Sequence, residues 1–184
     1  MQHRGRKSLL KGKTVNLEVI EKEDLVTIKH WVNDLKFVGN YEPIIQETCG
    51  ELETQYSHTL NNGGKWFFIV KNDGTKIGYV AHYLARKRHE IGYGIVPEER
   101  NQGYCTEAAA LLVDYLFLTK NVVRIQAITD TRNSASQQVL KKIGFTLEGI
   151  IRKANFEQGE WRNSKIYSIL REEWKQPKLL QKEL

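Results

Sequence analysis

Apolar and polar positions alternate along residues 13–20, with Val15, Leu17 and Val19 set against Asn16 and Glu18, as in a strand buried on one face. The period then turns helical, because Leu25, Ile28, Trp31 and Val32 recur three and four apart. Leu52, Tyr56 and Leu60, four apart in a polar stretch, predict a second helix over 46–61, stopped by Asn61, Asn62, Gly63 and Gly64. Residues 66–71 and 76–84 flank Asn72, Asp73 and Gly74, whose Asp-Gly pair favours a tight hairpin, and a third strand-like run spans 90–96. An antiparallel meander is expected there.

Beyond Gly103, the residues Tyr104, Ala108, Leu111, Leu112, Tyr115 and Leu116 trace the stripe of an amphipathic helix packed on a sheet. Residues 122–129 read as the next strand. Asn133 or a neighbour can cap a helix carrying Ala135, Val139, Leu140 and Ile143, which ends at Gly144. Phe145 onward and residues 161–170 then read as two strands around a turn at Gln158 and Gly159. Without repeats or Gly/Ser linkers, residues 1–171 are expected to form one α+β domain: a mixed, mainly antiparallel sheet flanked by helices. Charged residues and Pro177 dominate after Arg171, which predicts a loosely docked tail over 172–184.

A length of 184 residues suits a single core, and 40% hydrophobic with 27% charged residues is the balance of a soluble globular protein. No apolar run nears the ~20 residues that cross a bilayer. The basic start, residues 1–7, is not followed by the long apolar segment of a secretory signal, so a cytoplasmic location is expected. Cys49 and Cys105 sit in unlike contexts without paired spacing, which argues against a disulfide framework and against a zinc site; no metal is expected. The net charge of +6 suits anionic partners, whether nucleic acid, a ribosomal surface or cofactor phosphates. Because the lysines are scattered, they read first as a solvated surface, and nucleic acid is not expected as a direct ligand.

The chemistry concentrates after Ile95 and Val96, where the strand stops at Pro97 and a polar loop opens the helix at Gly103. Unpaired N–H groups and a partial positive charge at a helix start bind phosphate, and a glycine lets the backbone come close. Residues 100–105 read Arg-x-x-Gly-x-Cys. This resembles the Arg/Gln-x-x-Gly-x-Gly/Ala signature of the GCN5-related N-acetyltransferases, which grip the pyrophosphate of acetyl-coenzyme A. The loop is neither a dinucleotide-binding Gly-x-Gly-x-x-Gly nor a Walker sequence. The likeness extends to Leu10 through Leu17, to Trp31, Val32, Asn33 and Asp34, to Ile77 and Gly78, and to Glu90, Ile91, Gly92 and Tyr93. Downstream, Arg132, Asn133 and Ser136, then Lys142, Gly144 and Phe145, then Glu148, Gly149 and Arg152, are similar to the pattern of the ribosomal-protein acetyltransferases of the RimJ/RimL type.

The resemblance implies acetyl-coenzyme A as cosubstrate and transfer of its acetyl group to a primary amine, foremost a protein or peptide N-terminal α-amine. It places the backbone of Ile95 and Val96 against the pantetheine arm and Arg100, Asn101, Gln102, Gly103, Tyr104, Cys105 and Thr106 around the pyrophosphate. Asn133 would touch the pantetheine, and Ser136 would lie near the sulfur as candidate acid for the departing thiolate, unless its hydroxyl makes a local helix-start contact instead. A backbone N–H near Ile95 or Val96 would bond the thioester oxygen. Glu90 and His89 are candidates for taking the amine proton, and adjacent strand positions let at most one face the cleft. Cys105, where the family has Gly or Ala, reads either as a thiol activated by the helix start or as a small filler. A small amine such as a polyamine, aminoglycoside or amino-acid analogue is the competing acceptor, for which Glu42, Glu47, Glu51 and Glu53 offer acidic groups. A non-catalytic acyl-coenzyme A sensor is the reading of another class. In the family the segment corresponding to residues 36–50 helps shape the acceptor pocket; a homodimer is a further partner that the resemblance allows.

Overall fold

The strands found are β1 (Leu10–Lys11), β2 (Val15–Val19), β3 (Lys65–Lys71), β4 (Lys76–Ala85), β5 (Arg88–Ile95), β6 (Arg124–Asp130), β7 (Thr146–Glu157) and β8 (Glu160–Leu170). They join in one sheet of order β1-β2-β3-β4-β5-β6-β8-β7 in a computed structural model that describes residues 10–85, 88–175 and 177. The basic residues 1–7 and most of the tail beyond Lys175 lie outside the described residues. Helices α1 (Leu25–Val32), α2 (Leu35–Val38) and α3 (Cys49–Asn61) pack on one face of the sheet, and α4 (Tyr104–Thr119) and α5 (Ser134–Lys142) on the other. The expected mixed, mainly antiparallel α+β sheet is what forms: among the described strand pairs, β5–β6 alone is parallel.

Burial on both faces explains the unbroken apolar run of β3, in which Trp66, Phe67, Phe68, Ile69 and Val70 are all buried. Phe67 and Ile69 join Leu111, Leu112 and Leu116 of α4 in one core, whereas Trp66 and Phe68 join Ile28 and Leu52 of α1 and α3 in the other. Each such side chain contributes about 1.5–3 kcal/mol relative to exposure.

Three local features depart from expectation. Helix α3 begins at Cys49 rather than 46, because Thr48 and Glu51 form a reciprocal capping box: Glu51 N–H donates to Thr48 Oγ1 over 3.2 Å and Thr48 N–H to Glu51 Oε2 over 2.9 Å. The short α2 was not expected at all; Asp34 caps it through the Lys36 N–H. The tail is anchored as far as Trp174, whose indole N–H donates to Asp114 Oδ1 over 2.7 Å and whose ring lies 5.2 Å from that of Phe117. Arg171 adds bonds to the carbonyls of Phe117, Lys120 and Val122 at the end of α4. That cover is why Val113, Asp114 and Phe117 are buried outside the predicted stripe.

Among the described residues no helix is long and apolar enough to cross a membrane.

Candidate active site

Strands β5 and β6 pair only where His89 meets Ile125 and Glu90 meets Gln126, although β5 runs on to Ile95 and β6 to Asp130. Beyond Glu90 the two strands no longer pair, and a cleft of about 830 Å³ opens beside the C-terminal half of β5. Its walls include Tyr93 and Ile95 of β5, the loop into α4, and Asn133, Ser136 and Val139 at the start of α5; α2 and the segment 39–45 close the far side. Such a gap in a sheet leaves main-chain groups of β5 without a strand partner, which an extended ligand can supply.

The alternation of the antiparallel ladder determines which groups those are. The Val96 N–H donates to the Ile77 carbonyl over 2.9 Å, so it is occupied, and the even positions of β5 bond to β4. Ile95 therefore directs its N–H away from β4 into the gap. Of the two sequence candidates for an oxyanion donor, Ile95 lines the cleft and Val96 does not.

The loop after Val96 makes a 3-10 turn at Pro97–Glu99 and enters α4 through Gly103, whose φ of 86° places it in the left-handed region. No side chain caps α4, so the first-turn N–H groups face the cleft beside Gly103, Tyr104, Cys105 and Thr106. A Cβ on Gly103 would meet nothing, so the glycine serves backbone conformation and open approach rather than packing. This uncapped start, with Asn101 beside it, fits a diphosphate. Gln102 is exposed and lies outside the cleft wall.

Arg100 lines the cleft, but its guanidinium is engaged elsewhere. Its Nε donates to the Ile95 carbonyl over 3.2 Å and its Nη2 to the Lys36 and Phe37 carbonyls over 3.1 and 2.7 Å. It ties the end of β5 to α2 instead of standing ready as a phosphate ligand.

On α5, Asn133 is the N-cap, its Oδ1 accepting from the Ser136 N–H over 3.0 Å. With that task filled, the Ser136 hydroxyl meets the Tyr93 hydroxyl at 3.0 Å, and the Tyr93 hydroxyl also donates to the Ser136 carbonyl over 3.2 Å. Burial pushes the Tyr93 phenol well above the ordinary tyrosine range, so it keeps its proton. Sequence reasoning missed Tyr93 as a site residue; its position two before Ile95 on one strand, hence on the same face, was the available signal.

Glu90 and His89 lie apart from this group. Glu90 Oε2 accepts from Gln126 Nε2 over 2.8 Å, and Glu90 shares the α1–α3 face with Gly92 and Gly94; it does not line the cleft. His89 stacks on His82 with Nδ1 to Nε2 at 2.8 Å, and burial lowers its pKa. The carboxylate that does line the cleft near the tyrosines is Glu42. Crowding by protein, with Glu157 and Asp130 nearby, pushes its carboxyl up to about 7. Glu42 is itself exposed in the cleft wall, so water screens part of this effect. Cys105, half-buried, also lines the cleft; burial pushes its thiol up to about 12, against the direction of a helix-start activation.

The irregular segment around Glu42 is held by side chains from distant elements. Gln158 Nε2 donates to the carbonyls of Gly39 and Glu42 over 3.1 and 3.0 Å, and Arg162 Nη1 to that of Asn40 over 2.6 Å. Asn33 clamps Glu47, accepting from its N–H over 2.8 Å and donating to its carbonyl over 2.9 Å. Lys71 Nζ pairs with Glu99 at 3.1 Å on the cleft wall.

Residues 14–146 match the family model described as an acetyltransferase (GNAT) domain. The chain is similar to the uncharacterized N-acetyltransferase YnaD of Bacillus subtilis, 34% identical over 116 residues that make up 62% of this chain and 68% of that protein. It is 29% identical over 154 residues to spermidine N(1)-acetyltransferase of Escherichia coli, covering 82% of this chain and 83% of the relative. Among solved structures, RimJ of Mycobacterium smegmatis in complex with CoA-disulfide superposes with a TM-score of 0.76 at 22% identity, over 89% of this chain and 85% of that one.

Proposed function

The chain belongs to the GNAT acetyltransferase family and is an acetyl-coenzyme A-dependent N-acetyltransferase, and from that premise we propose that its acceptor is the α-amine of a peptide or protein N-terminus. The observation that carries this reading is the charge of the cleft wall. Its carboxylates among the described residues are Glu42 and Glu99, and Glu99 is paired with Lys71. One carboxylate poised near neutrality suits an α-amine of pKa ~7.7 to 8.0, and is a poor match for several ammonium groups near ~10.4.

In this mechanism the amine attacks the thioester directly in a ternary complex. Glu42, rather than Glu90, removes the amine proton. The Ile95 N–H bonds the carbonyl oxygen as negative charge develops, worth ~3 kcal/mol by analogy with other oxyanion donors. The Ser136 and Tyr93 hydroxyls stand ready to protonate or hydrogen-bond the departing sulfur, and the first-turn N–H groups of α4 hold the diphosphate. Arg100 positions the cleft wall.

A polyamine acceptor is the second reading, supported by the spermidine acetyltransferase that matches most of this chain. Acetyl-coenzyme A-dependent thiol release with N-terminal peptides, lysine peptides, spermidine and aminoglycosides separates the two: spermidine as the single productive acceptor defeats the α-amine reading. The two unpaired cysteines suit a reducing compartment, which supports work in the cytoplasm. We also propose a homodimer, supported by the edge strand β7, which exposes Leu147, Ile150, Ile151 and Phe156; light scattering of Ile150→Lys against wild type tests it.

A further inference from the structure

On the α1–α3 face lies a second cavity of about 510 Å³. It shares Val32, Ile45 and Tyr79 with the cofactor cleft, so a molecule whose reactive end sits in the cleft can extend past Tyr79 into it. Its interior is apolar and aromatic: Ile28, Leu52 and Trp66 are 2, 3 and 7% exposed, and Tyr83 completes the wall. Trp66 and Tyr83 meet edge to face at 6.4 Å, which keeps both rings in place. The Trp66 indole N–H finds no acceptor among the described residues.

Two polar side chains at the rim of this cavity are already engaged. Glu47 accepts from Gln55 Nε2 over 2.7 Å, and His58 Nε2 lies 3.2 Å from Asn62 Nδ2. Beside the cavity, Ile44 and Ile45 are 57 and 37% exposed, apolar surface placed where an entering ligand would cover it. A volume in the range of small-ligand pockets, ~300 to 1,000 Å³, exceeds what packing irregularity leaves in a native core.

We propose that this cavity is the specificity pocket for the acceptor and takes a bulky apolar side chain, aromatic or branched aliphatic, next to the reactive amine. The proposal rests on the α-amine reading above. It makes the preferred substrates peptides that begin with Phe, Tyr, Leu or Met, over those that begin with Ala, Gly or Asp. Burying such a side chain is expected to raise kcat/KM roughly 10- to 100-fold over Ala.

The test uses hexapeptides identical beyond a first residue of Phe, Leu, Ala or Asp, with wild type and the cavity-filling variants Leu52→Phe and Thr59→Met. The expected result is a Phe-over-Ala ratio of at least about tenfold in wild type that falls toward one in the filled variants. Equal kcat/KM across the peptides in wild type overturns the proposal, as does a preference that survives both fillings. A separate arm measures binding of phenethylamine against ethylamine by the fluorescence assignable to Trp66, with Trp66→Phe as blank. If no peptide is acetylated, the α-amine reading fails while this arm still decides the pocket: tighter phenethylamine binding supports it, and equal binding overturns it.

Discussion

The Tyr93 hydroxyl stands 3.0 Å from Ser136 Oγ, joining β5 to the first turn of α5 across the cleft in which the sheet divides. Asn133 makes the arrangement possible by capping α5 and sparing the serine hydroxyl. Two hydroxyls in contact can share one proton-donating task, so their deletions are not independent. Ser136→Ala and Tyr93→Phe are each expected to lower kcat by about tenfold to a hundredfold with little change in KM for acetyl-coenzyme A, and the double variant by much less than the product. Steady-state thiol release on the four proteins checks it; multiplicative losses would mean separate roles.

Gly103 holds φ at 86° at the uncapped start of α4, with open space where a Cβ would go. Backbone conformation and ligand approach can thus be separated by substitution. Gly103→Asn, a residue that tolerates left-handed backbone, is expected to weaken acetyl-coenzyme A binding only a few-fold. Gly103→Glu, which adds a negative charge beside the phosphates, should weaken it by well over tenfold. Calorimetric titration of coenzyme A into each variant reads the difference, and equal losses in both would place the cost in the backbone alone.

Much of this site could be read from the chain because its parts are local. The amphipathic stripe from Tyr104 to Leu116, the glycine that opens it and the Asn133 cap each announce themselves within a few residues. What escaped is set by contacts remote in sequence. Arg100 reads as a phosphate ligand until the carbonyls of Lys36 and Phe37, over sixty residues away, are brought to it. Glu90 reads as a base until Gln126 is found beside it on the parallel strand. Glu42 lies in a stretch without periodicity, and its place is fixed by Gln158 and Arg162 from the last hairpin. The docked Trp174 was likewise invisible, since its partners Asp114 and Phe117 lie on a helix that pattern alone assigns to the sheet.

His82 is 1% exposed, stacks on His89, and has no partner at Nδ1 among the described residues. Burial, with His89 and Lys120 adding to it, holds its pKa down at about 3. The folded protein therefore keeps His82 neutral where the unfolded chain, near 6.5, takes up a proton. Stability from this group is complete above about pH 6.5 and is lost as pH falls below it, by up to about 1.4 kcal/mol per pH unit. His82→Leu is expected to flatten the fall in thermal midpoint between pH 7 and 5 by the equivalent of about 2 kcal/mol at pH 5. Parallel curves for the two proteins would show that the acid sensitivity lies elsewhere.

Glu42 gives the active site a pH signature. Its carboxyl, pushed up to about 7 by its surroundings in the cleft, serves as a base only when ionised, so activity rises with pH through that value. The amine contributes a separate ionisation at ~7.7 to 8.0 if it is an α-amine. A base that acts within the ternary complex shows its ionisation in kcat, measured with both substrates saturating. Wild type is expected to show kcat climbing through about pH 7, whereas Glu42→Gln loses that limb along with about a hundredfold of its rate and keeps the amine ionisation in kcat/KM. The same carboxylate in Glu42→Asp, one methylene shorter, should retain the limb at reduced rate. A kcat profile in Glu42→Gln with the limb intact would transfer the role of base to another group.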